Sequence, residues 1–224
     1  MHFQWYAELI DKTFGKVSAT DPSITSLIVK EPIGVVAGVV PWNFPLMMAV
    51  WKAAPALAAG CSVIIKPAED TPLSALRIAQ IAKEAGIPDG VFNVVPGFGD
   101  VGEALGRHND VDAVSFTGST EVGGLFMKYS GESNLKTIGL EMGGKSPFLV
   151  LEDAKINDTL IDNAINSAFW NGGQNCSANM RQIIHSKVKN EFLDKVLKRI
   201  KNIKVGDPLD TETNMGSMIS KSHL

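Results

Sequence analysis

Cys176 is the side chain of this sequence that is best suited to attack a carbonyl carbon. It follows residues 171–175, a stretch with two adjacent glycines that comes directly after a predicted helix. A glycine-rich turn leaves a thiol accessible, and the thiolate is the form that reacts. Addition of a thiolate to a carbonyl produces an oxyanion, which needs fixed hydrogen-bond donors. The structural alternative is a small buried hydrophobic residue, which is what most lone cysteines are.

Asn43 and Glu141 are of the types that would complete such chemistry. Asn43 lies in the turn Pro41-Trp42-Asn43-Phe44-Pro45, where its amide could donate a hydrogen bond to the oxyanion. Glu141 follows a predicted strand and precedes two glycines, so its carboxylate is placed at a strand terminus and could activate water. Each has an ordinary alternative, because asparagine commonly forms turns and a glutamate at the end of a strand is commonly solvated.

Lys66 and Glu69 come directly after a predicted strand at residues 61–65. Open α/β sheets bind ligands at the carboxyl ends of their strands. Lys66 could reach a ribose or phosphate oxygen, and Glu69 could accept both hydroxyls of an adenosine ribose. The alternative is a solvated Lys–Glu pair in a loop.

A second predicted strand, at residues 111–116, runs into a glycine turn and the start of a helix. Gly118, Ser119 and Val122 lie in this turn, which would direct backbone N–H groups toward an anion. Capping of the helix by Ser119 or Thr120 is the alternative, and the two uses are compatible.

Residues 97–102 match the pattern G-x-G-x-x-G after an apolar strand. A dinucleotide fingerprint also needs an acidic residue about 20 positions further on, and none occurs at residues 116–118. We therefore interpret this segment as a glycine-rich turn from strand to helix.

Short apolar segments alternate with segments of helical period along the chain. Predicted strands cover residues 33–40, 61–65, 91–95, 111–116, 136–140, 148–151 and 181–185. Predicted helices cover residues 3–14, 46–59, 72–85, 100–107, 121–129, 156–170 and 191–203, with Thr71 as N-cap of the third and Pro72 in its first turn. Strands that are apolar throughout are typical of a parallel sheet covered on both faces. The pattern predicts an α/β protein with a doubly wound parallel-sheet cofactor domain.

Three segments are predicted on this basis. Residues 1–32 would form a helix and an extended arm, residues 33–144 the cofactor domain, and residues 145–224 the start of a second α/β domain that carries the catalytic cysteine.

Composition excludes several classes of function. The net charge of −3 and the lack of a basic stripe argue against nucleic-acid binding. The two cysteines give no disulfide framework and favour a reduced, cytoplasmic setting, in agreement with the lack of a signal-peptide pattern at the start. The apolar stretch at residues 33–59 is interrupted by three prolines and by Lys52, so no membrane span is expected.

Five motifs together make the sequence resemble the aldehyde dehydrogenase family. In order they are Pro41-Trp42-Asn43-Phe44-Pro45, Lys66-Pro67-Ala68-Glu69, Phe116-Thr117-Gly118-Ser119-Thr120, Leu140-Glu141-Met142-Gly143-Gly144-Lys145 and Gly173-Gln174-Asn175-Cys176. The segments at residues 5–8 and 107–110 are similar to members that act on aminoaldehydes, the gamma-glutamyl-gamma-aminobutyraldehyde type among them.

The resemblance implies a role for each of these residues. Cys176 would be the nucleophile and Glu141 the general base, and the Asn43 side chain and the Cys176 backbone N–H would hold the oxyanion. The remaining residues implied to bind the cofactor, NAD, are Trp42, Lys66, Glu69, Gly99, Gly118, Ser119 and Val122. The implied reaction oxidises an aldehyde to its carboxylic acid through a thiohemiacetal and a thioester on the cysteine.

Family members are about twice as long as this chain, so the resemblance implies further segments before Met1 and after Leu224. It also implies a homo-oligomer, with residues 15–32 as the oligomerisation arm, and negligible oxidation by the chain alone. Two alternatives stay open: a catalytically incompetent module that binds nucleotide or a subunit, and an acylating enzyme that transfers the thioester to coenzyme A, which Glu141 disfavours. Gly172 stands where many relatives carry glutamine.

Overall fold

The computed structural model describes residues 1–19 and 21–224. These residues form two compact units, Met1–Met142 and Gly143–Leu224. No helix in the described part of the chain is long and apolar enough to cross a membrane.

The first unit begins with helix α1 (His2–Leu9), a 3-10 turn (Ile10–Lys12) and a small antiparallel hairpin of strands β1 (Lys16–Ser18) and β2 (Ser26–Ile28). The predicted helix at residues 3–14 is therefore wrong at its end, because the last turn tightens into the 3-10 form. The segment predicted to be extended contains the hairpin, whose strands are exposed.

A five-stranded parallel sheet forms the centre of the first unit. Its strands are β3 (Val35–Val39), β4 (Ser62–Lys66), β5 (Phe92–Val94), β6 (Ala113–Gly118) and β7 (Thr137–Met142), in the order β5-β4-β3-β6-β7. Helices α2 (Pro45–Ala58), α3 (Leu73–Glu84), α4 (Gly99–Arg107) and α5 (Thr120–Gly131) connect them. The predicted doubly wound sheet is confirmed.

The sheet carries a hydrophobic core on each face. Alternate residues of β3 serve the two cores, because successive side chains of a strand point to opposite faces. Val36 packs with Ala53 and Val63 on one face, whereas Ala37 and Val39 pack with partners such as Phe116 and Phe126 on the other. Burial on both faces explains why these strands are apolar throughout.

Two boundaries in the first unit differ from prediction. The predicted strand begins at residue 33, whereas β3 begins at Val35, because Gly34 has a φ of +120°. The Val35 N–H donates to the side chain of Asp112, at 2.8 Å from Oδ2. Thr71 is not the N-cap of α3. Pro72 occupies that position, and the Thr71 N–H donates to the Ala68 carbonyl in a preceding turn.

The second unit contains two parallel strands and two helices. Strands β8 (Pro147–Val150) and β9 (Arg181–Ile184) pair in register, and α6 (Asp158–Phe169) and α7 (Lys189–Ile200) cover one face of the pair. The core of this unit includes Val150, Ile161 and Phe192. Asn157 caps α6, since its Oδ1 accepts from the Leu160 N–H at 3.0 Å.

Candidate functional site

The carboxyl edge of the parallel sheet brings together most of the predicted cofactor residues. Val39 is in register with Lys66 on one side and with Phe116 on the other. The residues that follow β3, β4 and β6 therefore leave the sheet side by side. The direction of the strand order reverses between β3 and β6, and ligands of open α/β sheets bind in the crevice at such a switch point. Trp42 and Asn43 follow β3, and Ser119 follows β6.

Lys66 is the last residue of β4 and is buried, so the prediction that it lies beyond the strand is wrong. Its Nζ donates to the Pro67 carbonyl at 3.1 Å and lies 3.5 Å from Glu69 Oε2. The Glu69 side chain is half exposed. The pair thus joins the buried ammonium group of Lys66 to the partly exposed carboxylate of Glu69, whose oxygens stay accessible to a ribose.

Ser119 is the N-cap of α5. Its Oγ accepts from the Val122 N–H at 3.2 Å, which confirms the capping alternative. Gly118 precedes it at the end of β6, where a Cβ would lie 2.5 Å from the Phe116 ring. The first N–H groups of a helix have no acceptor within the helix and carry its positive end. This turn therefore suits an anionic group such as a phosphate.

The glycine-rich turn at residues 97–102 follows β5, one of the two edge strands of the sheet, and leads into α4. Gly97 has a φ of +158° and a Cβ there would lie 2.3 Å from the Val101 side chain. Gly99 opens α4 and is exposed, with free space where its Cβ would be. The turn is a strand-to-helix connection, as expected, and it lies away from the central strand that a dinucleotide fingerprint follows.

Lys52 is a buried lysine of α2 that the sequence analysis did not assign to the site. Its Nζ donates to Ser115 Oγ at 3.0 Å and to Thr117 Oγ1 at 2.8 Å. Burial lowers the pKa of Lys52 to about 8, and the Glu141 carboxylate partly opposes that effect. The signal in the sequence is a lysine at a helical position among apolar residues.

Glu141 lies inside β7 as its penultimate residue and is exposed. The predicted strand end at Leu140 is wrong by two residues, because the ladder with β6 continues through Glu141 and Met142, but Glu141 does lie near the strand terminus. Thr117 is its register partner, and Thr117 is also a hydrogen-bond acceptor for Lys52. An exposed carboxylate with a buried ammonium group in its electrostatic surroundings can accept a proton from water.

Cys176 lies in the second unit and is exposed, whereas Cys61 is buried in the first. Its Sγ donates a long hydrogen bond of 3.8 Å to Asn175 Oδ1. That same oxygen accepts from the Ser177 N–H at 3.2 Å and from the Ser177 hydroxyl at 3.1 Å. The buried alternative is thus wrong for Cys176, and its turn is shaped by the preceding asparagine.

The stretch before Cys176 is left-handed at three consecutive residues. Asn171, Gly172 and Gly173 have φ values of 55°, 67° and 73°. Glycine adopts this conformation without the penalty that a Cβ brings. This explains why glycine is tolerated at position 172.

No group of three or more His, Cys, Asp and Glu side chains that could hold a metal ion occurs within residues 1–19 and 21–224.

Comparison with known proteins agrees with this geometry. A sequence model of the aldehyde dehydrogenase family matches residues 1–224. The aminoacetaldehyde dehydrogenase of Pseudomonas aeruginosa is 51% identical over 221 residues, which cover 98% of this chain and 45% of that protein.

Two solved structures have the same fold as this chain. The gamma-glutamyl-gamma-aminobutyraldehyde dehydrogenase from Burkholderia cenocepacia superposes with a TM-score of 0.96 at 48% identity, covering 99% of this chain and 45% of that one. An indole-3-acetaldehyde dehydrogenase in complex with NAD⁺ gives the same TM-score, identity and coverage. The predicted similarity to aminoaldehyde dehydrogenases is confirmed. The chain spans about 45% of the length of these relatives, and it belongs to the aldehyde dehydrogenase family.

Proposed function

We propose that this chain supplies the cysteine nucleophile and much of the cofactor site for NAD-dependent oxidation of an aldehyde to its carboxylic acid. The observation that supports it most is the exposed thiol of Cys176 in a glycine-rich turn, within a chain that matches the family along its whole length. The buried second cysteine, Cys61, leaves Cys176 as the accessible thiol.

The proposed reaction begins when the Cys176 thiolate adds to the aldehyde carbon. The carbonyl oxygen becomes an oxyanion, for which the Asn43 side chain and the Cys176 backbone N–H are the donors. Loss of hydride from that carbon leaves a thioester on Cys176. Glu141 then takes a proton from water, the resulting hydroxide adds to the thioester carbon, and the C–S bond breaks. The products are the carboxylic acid and the regenerated thiolate.

The residues of the sheet edge fit NAD as the cofactor. Glu69 offers an open carboxylate for the ribose hydroxyls and is held by Lys66. Ser119 and the start of α5 suit a phosphate, and Trp42, Gly99, Gly118 and Val122 are proposed to line the same cofactor. When bound there, NAD supplies the acceptor for the hydride that leaves the aldehyde carbon.

An aminoaldehyde is the proposed substrate class, because two similar proteins are named for aminoacetaldehyde and for gamma-glutamyl-gamma-aminobutyraldehyde. A homo-oligomer and a cytoplasmic location are proposed on the family resemblance and the composition. A module that binds nucleotide or a subunit without turnover is the second candidate function. Its support is the sheet edge of the first unit, where the Glu69 carboxylate is exposed and α5 begins after Ser119.

Cysteine substitution tests the proposal. In protein expressed from the full reading frame, we expect Cys176→Ala to lower aldehyde oxidation at saturating NAD by at least about 1,000-fold, as loss of a nucleophile does in other enzymes. Cys61→Ala is the matched control and should keep activity within about threefold, since a buried cysteine behaves as a small hydrophobic residue. Retention of activity in Cys176→Ala would exclude the proposed nucleophile.

A further inference from the structure

The backbone of Cys176 lies directly against Gly144. A Cβ built on Gly144 would be 3.0 Å from the Cys176 carbonyl oxygen, which is tighter than ordinary van der Waals contact. The φ of Gly144 is not in the left-handed region, so this glycine is not required by its own backbone conformation. What it provides is room for the carbonyl of the peptide group between Cys176 and Ser177.

Hydrogen bonds hold the segments that contain Gly144 and Cys176 in place near this contact. Asn179 Nδ2 donates to the Pro147 carbonyl at 3.2 Å, and the Arg181 N–H donates to the Ser146 carbonyl at 3.4 Å. The Asn179 N–H also donates to the Ser167 carbonyl at 2.9 Å. Residues 144–147 and residues 176–181 therefore run together into the paired starts of β8 and β9.

These attachments limit how the loop can respond to added volume. The neighbour of Gly144 is a backbone carbonyl, which cannot rotate away as the end of a flexible side chain can. The hydrogen bond from the Cys176 thiol to Asn175 Oδ1 is long, at 3.8 Å, and so holds the side chain weakly. The position of the thiol therefore depends mainly on the backbone of Cys176.

We propose that Gly144 is a positioning residue for the nucleophile, and that residues 144–147 act as a backbone clamp that fixes the Cys176 carbonyl and thereby the position of the Cys176 thiol. The inference rests on the proposed function and deepens it. Reacting atoms must be held near attack distance, and displacement by about 1 Å can cost roughly 100-fold in rate. A Cβ at Gly144 requires the Cys176 carbonyl to shift by a few tenths of an ångström, so we expect a smaller but measurable loss of rate.

Gly143 provides a matched control. It is exposed, its φ is not in the left-handed region, and a Cβ there would have nothing within 4 Å. Gly144→Ala and Gly143→Ala therefore add the same methyl group to adjacent positions, and the Cys176 carbonyl obstructs it at only one of them.

The first measurement is the rate of Cys176 alkylation by iodoacetamide in this chain, followed by peptide mass spectrometry with Cys61 as the internal reference. We expect Gly144→Ala to change the Cys176 rate at least about threefold, and Gly143→Ala to leave it within about 1.5-fold, because thiolate character depends on local geometry. The unfolding midpoints of both variants should match that of the wild type. This measurement needs no turnover, so it stands even if the proposed oxidation fails.

The second measurement is steady-state aldehyde oxidation by protein expressed from the full reading frame. Gly144→Ala should lower kcat about tenfold with KM changed less than about twofold, because it displaces a reacting group rather than a binding surface. In the Gly144→Ala background, Asn179→Ala should raise kcat at least about threefold. It removes the hydrogen bond from Asn179 to the Pro147 carbonyl, so that the loop can shift to accommodate the added methyl group. The effects of substitutions at such coupled sites are not additive.

Equal alkylation rates in the two glycine variants, or a further loss instead of rescue by Asn179→Ala, would overturn the clamp. Absence of aldehyde oxidation in the wild type, together with the expected alkylation difference, would instead overturn the proposed function and leave the clamp in place.

Discussion

At the scale of single residues, the side chains proposed to carry the chemistry could be selected by type from the sequence, but their surroundings could not be predicted. Cys176, Glu141 and Lys66 each stand in a motif that the sequence displays. Whether a residue lies within a strand or just after it depends on the neighbouring strand, as the β6–β7 ladder shows for Glu141. Lys52 was missed because its significance comes from Ser115 and Thr117, which lie more than 60 residues away along the chain.

Lys52 makes the stability of the protein dependent on pH. Its pKa falls from 10.5 to about 8 on burial, so the unfolded chain binds the proton more tightly than the folded chain does. The free energy of unfolding should therefore rise as pH increases from about 8 to about 10, by about 2 kcal/mol from this group. Urea unfolding at both pH values checks this, with Lys52→Met as the reference in which this rise is lost. An equal pH dependence in the two proteins would contradict a lowered pKa of Lys52 in the folded protein.

Glu69 should determine the choice between the two nicotinamide cofactors. Its carboxylate can accept the ribose hydroxyls of NAD, whereas the 2′-phosphate of NADP would meet a like charge. We expect the full-reading-frame protein to prefer NAD in kcat/KM, and Glu69→Ala to reduce that preference about tenfold. The control is Asp70→Ala, which removes an adjacent exposed carboxylate. Equal use of both cofactors by the wild type would show that Glu69 has no such role.

At the scale of elements, the parallel sheet was predictable and the helix starts were less so. Apolar strands that alternate with helices at this spacing predict a doubly wound sheet. The N-cap of α3 was wrong because a proline with a fixed φ took the position next to the predicted threonine. Ser119 was predicted as one of two possible caps, and its bond to the Val122 N–H identifies it.

Loss of the Ser119 cap should weaken the first unit. Ser119→Ala removes the acceptor of the Val122 N–H and should lower the free energy of unfolding by about 1 kcal/mol. Thr120→Ala alters the next residue, which is exposed and begins α5, and should change that energy by less than about 0.5 kcal/mol. Equivalent effects of the two substitutions, measured by urea unfolding, would mean that the cap is not what stabilises this helix start.

At the scale of the whole molecule, the second unit leaves one face of its strand pair uncovered. Leu149 and Ile183 are register partners and are 59% and 57% exposed. Parallel strands are normally covered on both faces, and the side chains on the opposite face, such as Val150, are packed against α6 and α7. The apolar pattern of the strands does not by itself predict this feature, because an apolar strand looks the same whether one face or both are covered.

The uncovered face should cause the 224-residue chain to associate with itself. Exposed contiguous apolar surface and unpaired strand edges both promote association. Light scattering should show a mass that rises with concentration, and Leu149→Lys combined with Ile183→Lys should reduce the rise. Leu209→Lys, at a residue that is 91% exposed and outside the strands, should not. A monodisperse wild-type monomer at all concentrations would show that this face is stable in water.

The most direct test of the proposed chemistry is to trap the thioester. Protein expressed from the full reading frame is mixed with NAD and an aminoaldehyde, quenched in acid within the first turnover, and digested for mass spectrometry. We expect an acyl group on the peptide that contains Cys176, and a larger yield of it in Glu141→Gln, because the carboxylate proposed to activate water for hydrolysis is absent. Oxidation of the aldehyde with no acyl group on Cys176, in wild type and in Glu141→Gln alike, would contradict the central claim.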